Sequence, residues 1–173
     1  MNRSFVLVVI VVAAALLAAP AWNFQDKKPI KAYIIKVVKD VERRAGSTSG
    51  WSKALLASDL RAGYEVRTQE KSFAMIKFDD ESKVAVREKS ILTLQGEFSG
   101  NRILRREIHI ERGRTVFDIK KLQGTEQFRF TSPISVASIR GTAGGAGFDP
   151  ALSMADLTII TGIADFSGTD AGK

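Results

Sequence analysis

Short runs of alternating apolar residues, separated by turn-forming residues, recur along most of this chain. Ile76 and Phe78 alternate with polar neighbours, the segment 79–82 supplies turn chemistry, and Val84 and Val86 resume the alternation. A period of two is typical of a strand with one buried face, and two such runs around a turn predict a β-hairpin. This pattern constrains the fold more than any other feature.

Further runs of this kind predict strands both before and after this hairpin. They are 33–38, Leu60 to Thr68, Leu92 and Leu94, Ile108 and Ile110, Phe117 and Ile119, Phe128 and Phe130, and Ile134 to Ile139. We predict that Gly113-Arg114 separates two strands and that Gly141 to Gly147 is a flexible loop. Residues 157–160 and 163–166 predict a last hairpin around Thr161-Gly162. The predicted fold class is all-β, with short, mainly antiparallel strands in a rolled or two-layer β-domain.

The N-terminus has the pattern of an export signal. Arg3 gives a short positive region, residues 5–19 are apolar and uncharged, and Ala19-Pro20-Ala21 is a small-x-small cleavage site. We therefore predict a signal peptide over 1–21, an irregular lead-in over 22–31, a β-domain over 32–167 and a flexible tail over 168–173. The expected localisation is periplasmic or secreted, with membrane attachment only if the signal segment is uncleaved.

Charge and cysteine content restrict the partners. The formal net charge is +7 and the pI is about 9.8, which favours acidic partners such as an envelope protein or an anionic envelope polymer. Export, together with the lack of base-stacking aromatics among the arginines, argues against nucleic acid. The chain has no cysteine, so packing without disulfides must hold the fold.

The titratable residues do not form a catalytic or metal-binding pattern. Adjacent carboxylates at Asp79, Asp80 and Glu81 suit a turn and cannot flank a substrate bond from two sides. His109 is the single histidine, and we expect it to be exposed on the outward face of a strand with Glu107 and Glu111. The sequence therefore predicts no enzyme activity, no metal and no cofactor.

One cluster of basic residues is a candidate binding patch. It surrounds the hairpin predicted near residue 100 and consists of Arg102, Arg105, Arg106, Arg112 and Arg114. Charge runs are often solvated faces that protect strand edges, but arginines also bind acidic groups on partners. We predict that these arginines form a surface for an acidic protein or an anionic polymer.

Several ordered motifs resemble the FecR-like domain family. The segment from Leu60 to Thr68 resembles its L-x-x-G-x-x-[IV]-R-T motif, Phe78 to Val84 its F-x-D-G-S hairpin, Gly113 to Ile119 its G-R-V-x-F-x-[VI] strand, and Thr131 to Thr142 its T-P-x-x-V-A-x-[IV]-R-G-T strand. Glu81 stands where the family's turn has glycine, which predicts a turn without positive φ. Arg140-Gly141-Thr142 is interpreted as scaffold at a strand end.

The resemblance implies an extracytoplasmic β-domain that contacts other proteins. Regulators of this family carry such a domain outside the membrane, joined to a cytoplasmic anti-sigma segment that has no counterpart here. We therefore expect a non-enzymatic binding or signalling module that contacts another envelope protein. The alternative is a structural envelope protein that holds anionic cell-wall or surface polymers without signalling.

Overall fold

A computed structural model describes residues 32–99, 102–122, 124 and 126–169. The predicted signal peptide, the lead-in and most of the predicted tail lie outside these residues. Every regular element in the described part is a β-strand, and no helix there could span a membrane. The strands are β1 (Ala32–Val38), β2 (Val41–Arg44), β3 (Ser52–Lys53), β4 (Asp59–Leu60), β5 (Glu65–Thr68), β6 (Phe73–Phe78), β7 (Lys83–Val86), β8 (Ile91–Ser99), β9 (Arg102–Asp118), β10 (Gln127–Ser132), β11 (Ser135–Asp149) and β12 (Met154–Gly168).

The strands form one curled sheet. Its path runs β3-β2-β5-β8-β9-β7-β6-β1-β4, and β10, β11 and β12 join it along the other edge of β9. Neighbouring strands are antiparallel except β9 and β10, which run parallel from the pair Arg105 and Gln127 to the pair His109 and Thr131. The predicted all-β, mainly antiparallel fold class is confirmed.

Strand β9 is the element that makes the sheet curl. Its first half pairs with β8 and β10, whereas its second half pairs with β7 and β11. Gly113, with a φ of 90°, lies between the halves. The prediction that Gly113-Arg114 separates two strands is wrong, because positive φ at a glycine lets a strand bulge and bend while its pairing continues.

The two halves of the sheet pack against each other through phenylalanine rings. Phe78 on β6 meets Phe128 on β10 edge-on at 5.3 Å, and Phe117 on β9 stacks on Phe130 at 4.5 Å. All four side chains are buried, as the alternation in the sequence predicts. Burial of each ring contributes about 1.5–3 kcal/mol.

The glycine-rich segment from Gly141 to Gly147 lies inside β11, so its prediction as a flexible loop is wrong. It pairs with β9 on one side and with β12 on the other. A Cβ on Gly144 would overlap the carbonyl oxygen of Thr158 and lie 3.0 Å from the Phe117 ring. Glycine is required here because three backbones and an aromatic ring approach closely, not because the chain must be flexible.

The last hairpin also differs from the prediction. Its turn lies at residues 150–153 between β11 and β12, and residues 154–168 form one strand. Thr161-Gly162 lies within this strand at a register shift, and Gly162 has a φ of 97°. The two residues that were predicted to form a turn therefore form a β-bulge, which uses the same positive φ.

The turn between β6 and β7 is confirmed, but its backbone conformation is not the predicted one. The Glu81 amide donates to the Phe78 carbonyl at 3.1 Å, and the Ser82 amide donates to Asp80 Oδ1 at 3.0 Å. Glu81 has a φ of 67°. The prediction of a turn without positive φ is therefore wrong, and Glu81 occupies a conformation that favours glycine.

Candidate binding surface

The predicted arginine patch is dispersed along β9. Arg105 lies 3.2 Å from Glu97 and 3.3 Å from Glu107, so neighbouring strand residues compensate its charge. Arg114 Nη2 lies 2.9 Å from Asp156 Oδ1, and Arg112 is exposed. Arg102 begins β9 at the far end of the strand. The side chains of Arg105, Arg106, Arg112 and Arg114 therefore do not form one continuous cationic surface.

Arg106 lies inside the protein and is not part of a surface patch. Its side chain is 5% exposed and faces the turn between β6 and β7. Its guanidinium lies 3.0 Å from Asp79, 3.2 Å from Glu126 and 3.7 Å from Asp80. Three carboxylates enclose this cation, so an external partner has no access to it.

The charge balance around Arg106 follows from these contacts. Burial by itself lowers the pKa of Arg106, but the nearby charges of Asp80 and Asp79 and the hydrogen bonds to Asp79 and Glu126 outweigh it and raise the pKa. The guanidinium thus stays charged and bridges the turn to the start of β10. Asp79 and Asp80 serve this bridge, and the described residues contain no group of three or more His, Cys, Asp or Glu side chains placed to hold a metal ion.

His109 takes part in a short chain of hydrogen bonds. It is half-buried, not exposed as predicted, and its Nδ1 lies 3.0 Å from Thr131 Oγ1. The Thr131 hydroxyl donates to Glu107 Oε1 at 3.2 Å. Because that hydroxyl has a single hydrogen, Nδ1 of His109 must carry the proton and donate to Thr131. The imidazole is therefore held in place between β9 and β10.

The aromatic ring of Trp51 lies between two arginines, a feature that the sequence analysis missed. The Arg44 and Arg67 guanidinium carbons lie 4.5 and 4.3 Å from the ring centroid. Glu65 and Glu42 hold these arginines by hydrogen bonds. Such cation–π contacts stabilise the pairing of β2 with β5, and no sequence spacing brings residues 44, 51 and 67 together before the strands pair.

A groove of about 630 Å³ is lined by residues of β10 and β11 together with Lys121, Leu122, Gly124 and Glu126. Three cationic side chains line it, namely Lys121, Arg129 and Arg140, together with the acidic side chains of Glu126 and Asp165. Its size suits a short peptide segment or a small polar ligand. This groove is the candidate binding surface of the described residues.

The strand register explains why these residues meet. Phe128 and Phe130 are buried, so the alternation of β10 points Arg129 to the other face. Arg129 is the register partner of Ser138, and Ser138 is the partner of Asp165. Arg140 follows two residues after Ser138 and is exposed. A row of polar side chains thus crosses three strands on the outer face.

The free charge in the groove is positive. Glu126 already accepts a hydrogen bond from Arg106 at 3.2 Å, which leaves Asp165 as the acidic residue facing three cations. Arg129 Nε is buried and has no hydrogen-bond partner in the described part of the chain. Arg105 Nε and Arg106 Nε share this state outside the groove, so the groove is distinguished by its three cationic side chains and not by this atom.

The sequence contained only part of the signal for this groove. Arg140 was interpreted as scaffold, yet its side chain is exposed and lines the groove. Arg129 stands between two buried phenylalanines, and this alternation predicts its outward direction. The position of Lys121 next to Gly141 depends on the long connection from β9 to β10, which local patterns do not describe.

Comparison with known proteins identifies one family. The model of the family described as FecR protein matches residues 64–162, which is more than half of the chain. The match runs from just before β5 into β12 and includes the groove residues Arg129 and Arg140. No curated protein and no solved structure matches the chain. The suspected resemblance is confirmed, and the chain belongs to the FecR protein family.

Proposed function

We propose that this protein is a non-enzymatic, extracytoplasmic binding module of a regulatory or signalling system. In this proposal the groove receives an acidic segment of another envelope protein. Membership of the FecR family is compatible with a regulatory or signalling role. The signal-peptide pattern over 1–21 supports export, and in this proposal the working domain acts in the periplasm or outside the cell.

The observation that carries the proposal is the excess of positive charge in the groove. Lys121, Arg129 and Arg140 line it, and of the two acidic side chains there Glu126 is engaged by Arg106. Carboxylates and phosphates both match the hydrogen-bonding fork of a guanidinium. A groove of about 630 Å³ has room for a short segment of a partner, so an acidic peptide segment suits it.

The net charge supports a second candidate. A protein of net charge +7 also binds anionic envelope polymers through its general field. Because salt screens exposed charges, salt would strongly weaken that binding. The binding would also depend on the total charge of the protein and not on single residues. Contact with one protein through the groove would instead depend on Arg129 and Arg140.

A site-specific crosslink in the producing cells tests the proposal. A photoreactive amino acid replaces Ser138, which lines the groove, and a control protein carries it at Lys53, which is exposed on β3. Mass spectrometry identifies the captured protein and the N-terminus of the bait. We expect one envelope protein to be captured from Ser138 and not from Lys53, on a bait that lacks residues 1–21.

Other outcomes separate the two candidates. Equal capture from both positions, or binding to many anionic surfaces that salt abolishes, would support the polymer-binding alternative. Capture of a cytoplasmic protein would contradict the extracytoplasmic role. A bait that retains residues 1–21 would contradict cleavage but not the groove.

A further inference from the structure

Strand β12 has one paired edge and one edge without a neighbouring strand in the described residues. It runs from Met154 to Gly168 and pairs with β11 alone. Two large apolar side chains of this strand are mostly exposed, Ile160 at 71% and Ile163 at 70%. Unpaired backbone groups next to exposed isoleucines form a surface on which another strand can pair.

The composition of β12 is unusual for an exposed edge. Edge strands are commonly protected by lysine, proline or other charged residues. This chain has 26 lysines and arginines, yet none lies between Met154 and Gly168, and the only charged residues there are Asp156 and Asp165. The strand itself therefore contributes no cationic repulsion, although the protein is strongly basic.

We propose that β12 pairs with β12 of a second copy, antiparallel about a two-fold axis between Thr161 and Gly162. An antiparallel pair of identical strands is self-complementary and closes as a dimer. The exposed isoleucines of this strand, Ile160 and Ile163, cover each other in such a pair. Two basic copies repel each other over most of their surfaces, and a strand without lysine or arginine adds least to that repulsion.

The faces of β12 limit the possible registers. Leu157 and Phe166 are the β11 partners of Ala146 and Ala137, which are buried, so they lie on the inner face. Asp165 is the partner of Ser138 on the outer face. Residues directly opposite in a sheet share a face, so inner positions must meet inner positions.

The proposed register satisfies this condition and pairs compatible side chains. It places Ile160 opposite Ile163 and Leu157 opposite Phe166, and it places Asp165 opposite Thr158. The register shifted by two in one direction would place Asp156 opposite Asp165, a pair of like charges. The shift in the other direction would place Ile160 opposite Asp165. Only the proposed register aligns the exposed isoleucines.

Molecular mass measurement of the protein recovered from its producing cells tests self-association. We expect a dimer by sedimentation equilibrium and a monomer for Ile160→Lys, which brings positive charge close to the axis from both copies. The matched control is Leu56→Lys, because Leu56 is exposed to a similar degree, 69%, and lies outside β12. Circular dichroism verifies the fold of each variant. A wild-type monomer, or a dimer that Ile160→Lys leaves intact, would overturn the proposal.

The register has its own test, which the cysteine-free sequence makes clean. The single variants Ile160→Cys and Ile163→Cys are prepared separately, oxidised alone, and then oxidised as a mixture. In the proposed register, residue 160 of one copy lies directly opposite residue 163 of the other, within the distance that a disulfide spans. The same residue in the two copies is not opposite itself, so a single variant has no directly facing cysteine. We expect a linked dimer in the mixture and little in either variant alone. Equal linkage in the separate variants would contradict this register.

Neither experiment depends on the groove or on its ligand. A failed dimer test leaves the proposed function standing, and loss of binding in the groove leaves the dimer standing.

Discussion

Arg106 Nη2 lies 3.0 Å from Asp79 Oδ1, and this contact links β9 to the turn between β6 and β7. The two residues are distant in sequence and belong to opposite halves of the curled sheet. Glu126 completes the contact from the segment that leads into β10. One buried guanidinium therefore joins three parts of the fold.

Removal of this guanidinium should destabilise the protein. In Arg106→Ala the carboxylates of Asp79, Asp80 and Glu126 lose their shared cation. We expect the free energy of unfolding to fall by about 2–3 kcal/mol, somewhat less than for a fully buried pair because the carboxylates keep part of their hydration. Urea denaturation measures the change.

Arg105→Ala is the matched control for that experiment. Arg105 directly precedes Arg106 on the same strand, and its ion pairs with Glu97 and Glu107 lie on the outer face. A loss below about 1 kcal/mol is expected there. Equal losses in the two variants would show that Arg106 has no special role.

Glycine at position 81 should stabilise the turn. Glu81 has a φ of 67°, which costs little for glycine and more for residues with a Cβ. The ion pair between Glu81 and Lys77 is exposed and contributes little. We expect Glu81→Gly to raise the midpoint of thermal unfolding by about 2–4 °C in a domain of this size. Glu81→Ala keeps the strain and should bring no such gain; a gain of equal size there would contradict the explanation.

A methyl group on Gly144 should disrupt the pairing of β11 and β12. The added Cβ meets the Thr158 carbonyl oxygen, a backbone atom that cannot move without shifting β12. Overpacking of this kind costs about 1–3 kcal/mol or more, and calorimetry measures it. Gly50→Ala is the control because a Cβ there meets no atom within 4 Å. A stable Gly144→Ala protein would contradict the paired position of the glycine-rich segment.

Stability should fall in acid through Glu42. The hydrogen bond from Arg67 holds the pKa of Glu42 below its ordinary value. A carboxyl with a lowered pKa contributes stability above its unfolded pKa, and this contribution is lost as the pH falls through the folded pKa. We expect the free energy of unfolding to decrease between about pH 6 and pH 3, with a smaller decrease in Glu42→Gln.

The pairing of Glu42 with Arg67 gives that prediction an internal check. Arg67→Gln removes the donor and should reduce the acid dependence as Glu42→Gln does. The double variant should show the same acid dependence as the single variants, since the pairing of Glu42 with Arg67 is absent in all three. Additive effects of the two changes would contradict a shared interaction.

The sequence predicted the strands better than their ends. Alternation at Ala74, Ile76 and Phe78 identified a buried face correctly, since a period of two reports burial directly. The glycines at 113 and 162 were interpreted as turns, but pairing with strands distant in sequence continues through them. Positive φ serves both turns and bulges, so local sequence does not distinguish them.

The candidate site was less predictable than the fold. The arginine cluster was defined by proximity in sequence, and strand alternation sends Arg105 and Arg106 to opposite faces. Arg129 and Arg140 meet only after β10 pairs with β11, and Lys121 joins them because it lies next to Gly141 of β11. Long-range pairing created the groove, and no local motif contains it.

Binding of an acidic peptide tests the groove most directly. A fluorescent oligo-glutamate peptide is titrated into the wild-type protein, into Arg129→Gln/Arg140→Gln, and into Lys53→Gln/Arg112→Gln, which carries the same change in net charge outside the groove. We predict that the groove variant binds about tenfold to a hundredfold more weakly while the control stays near the wild-type Kd. Equal weakening of the two variants would contradict the groove as the binding site.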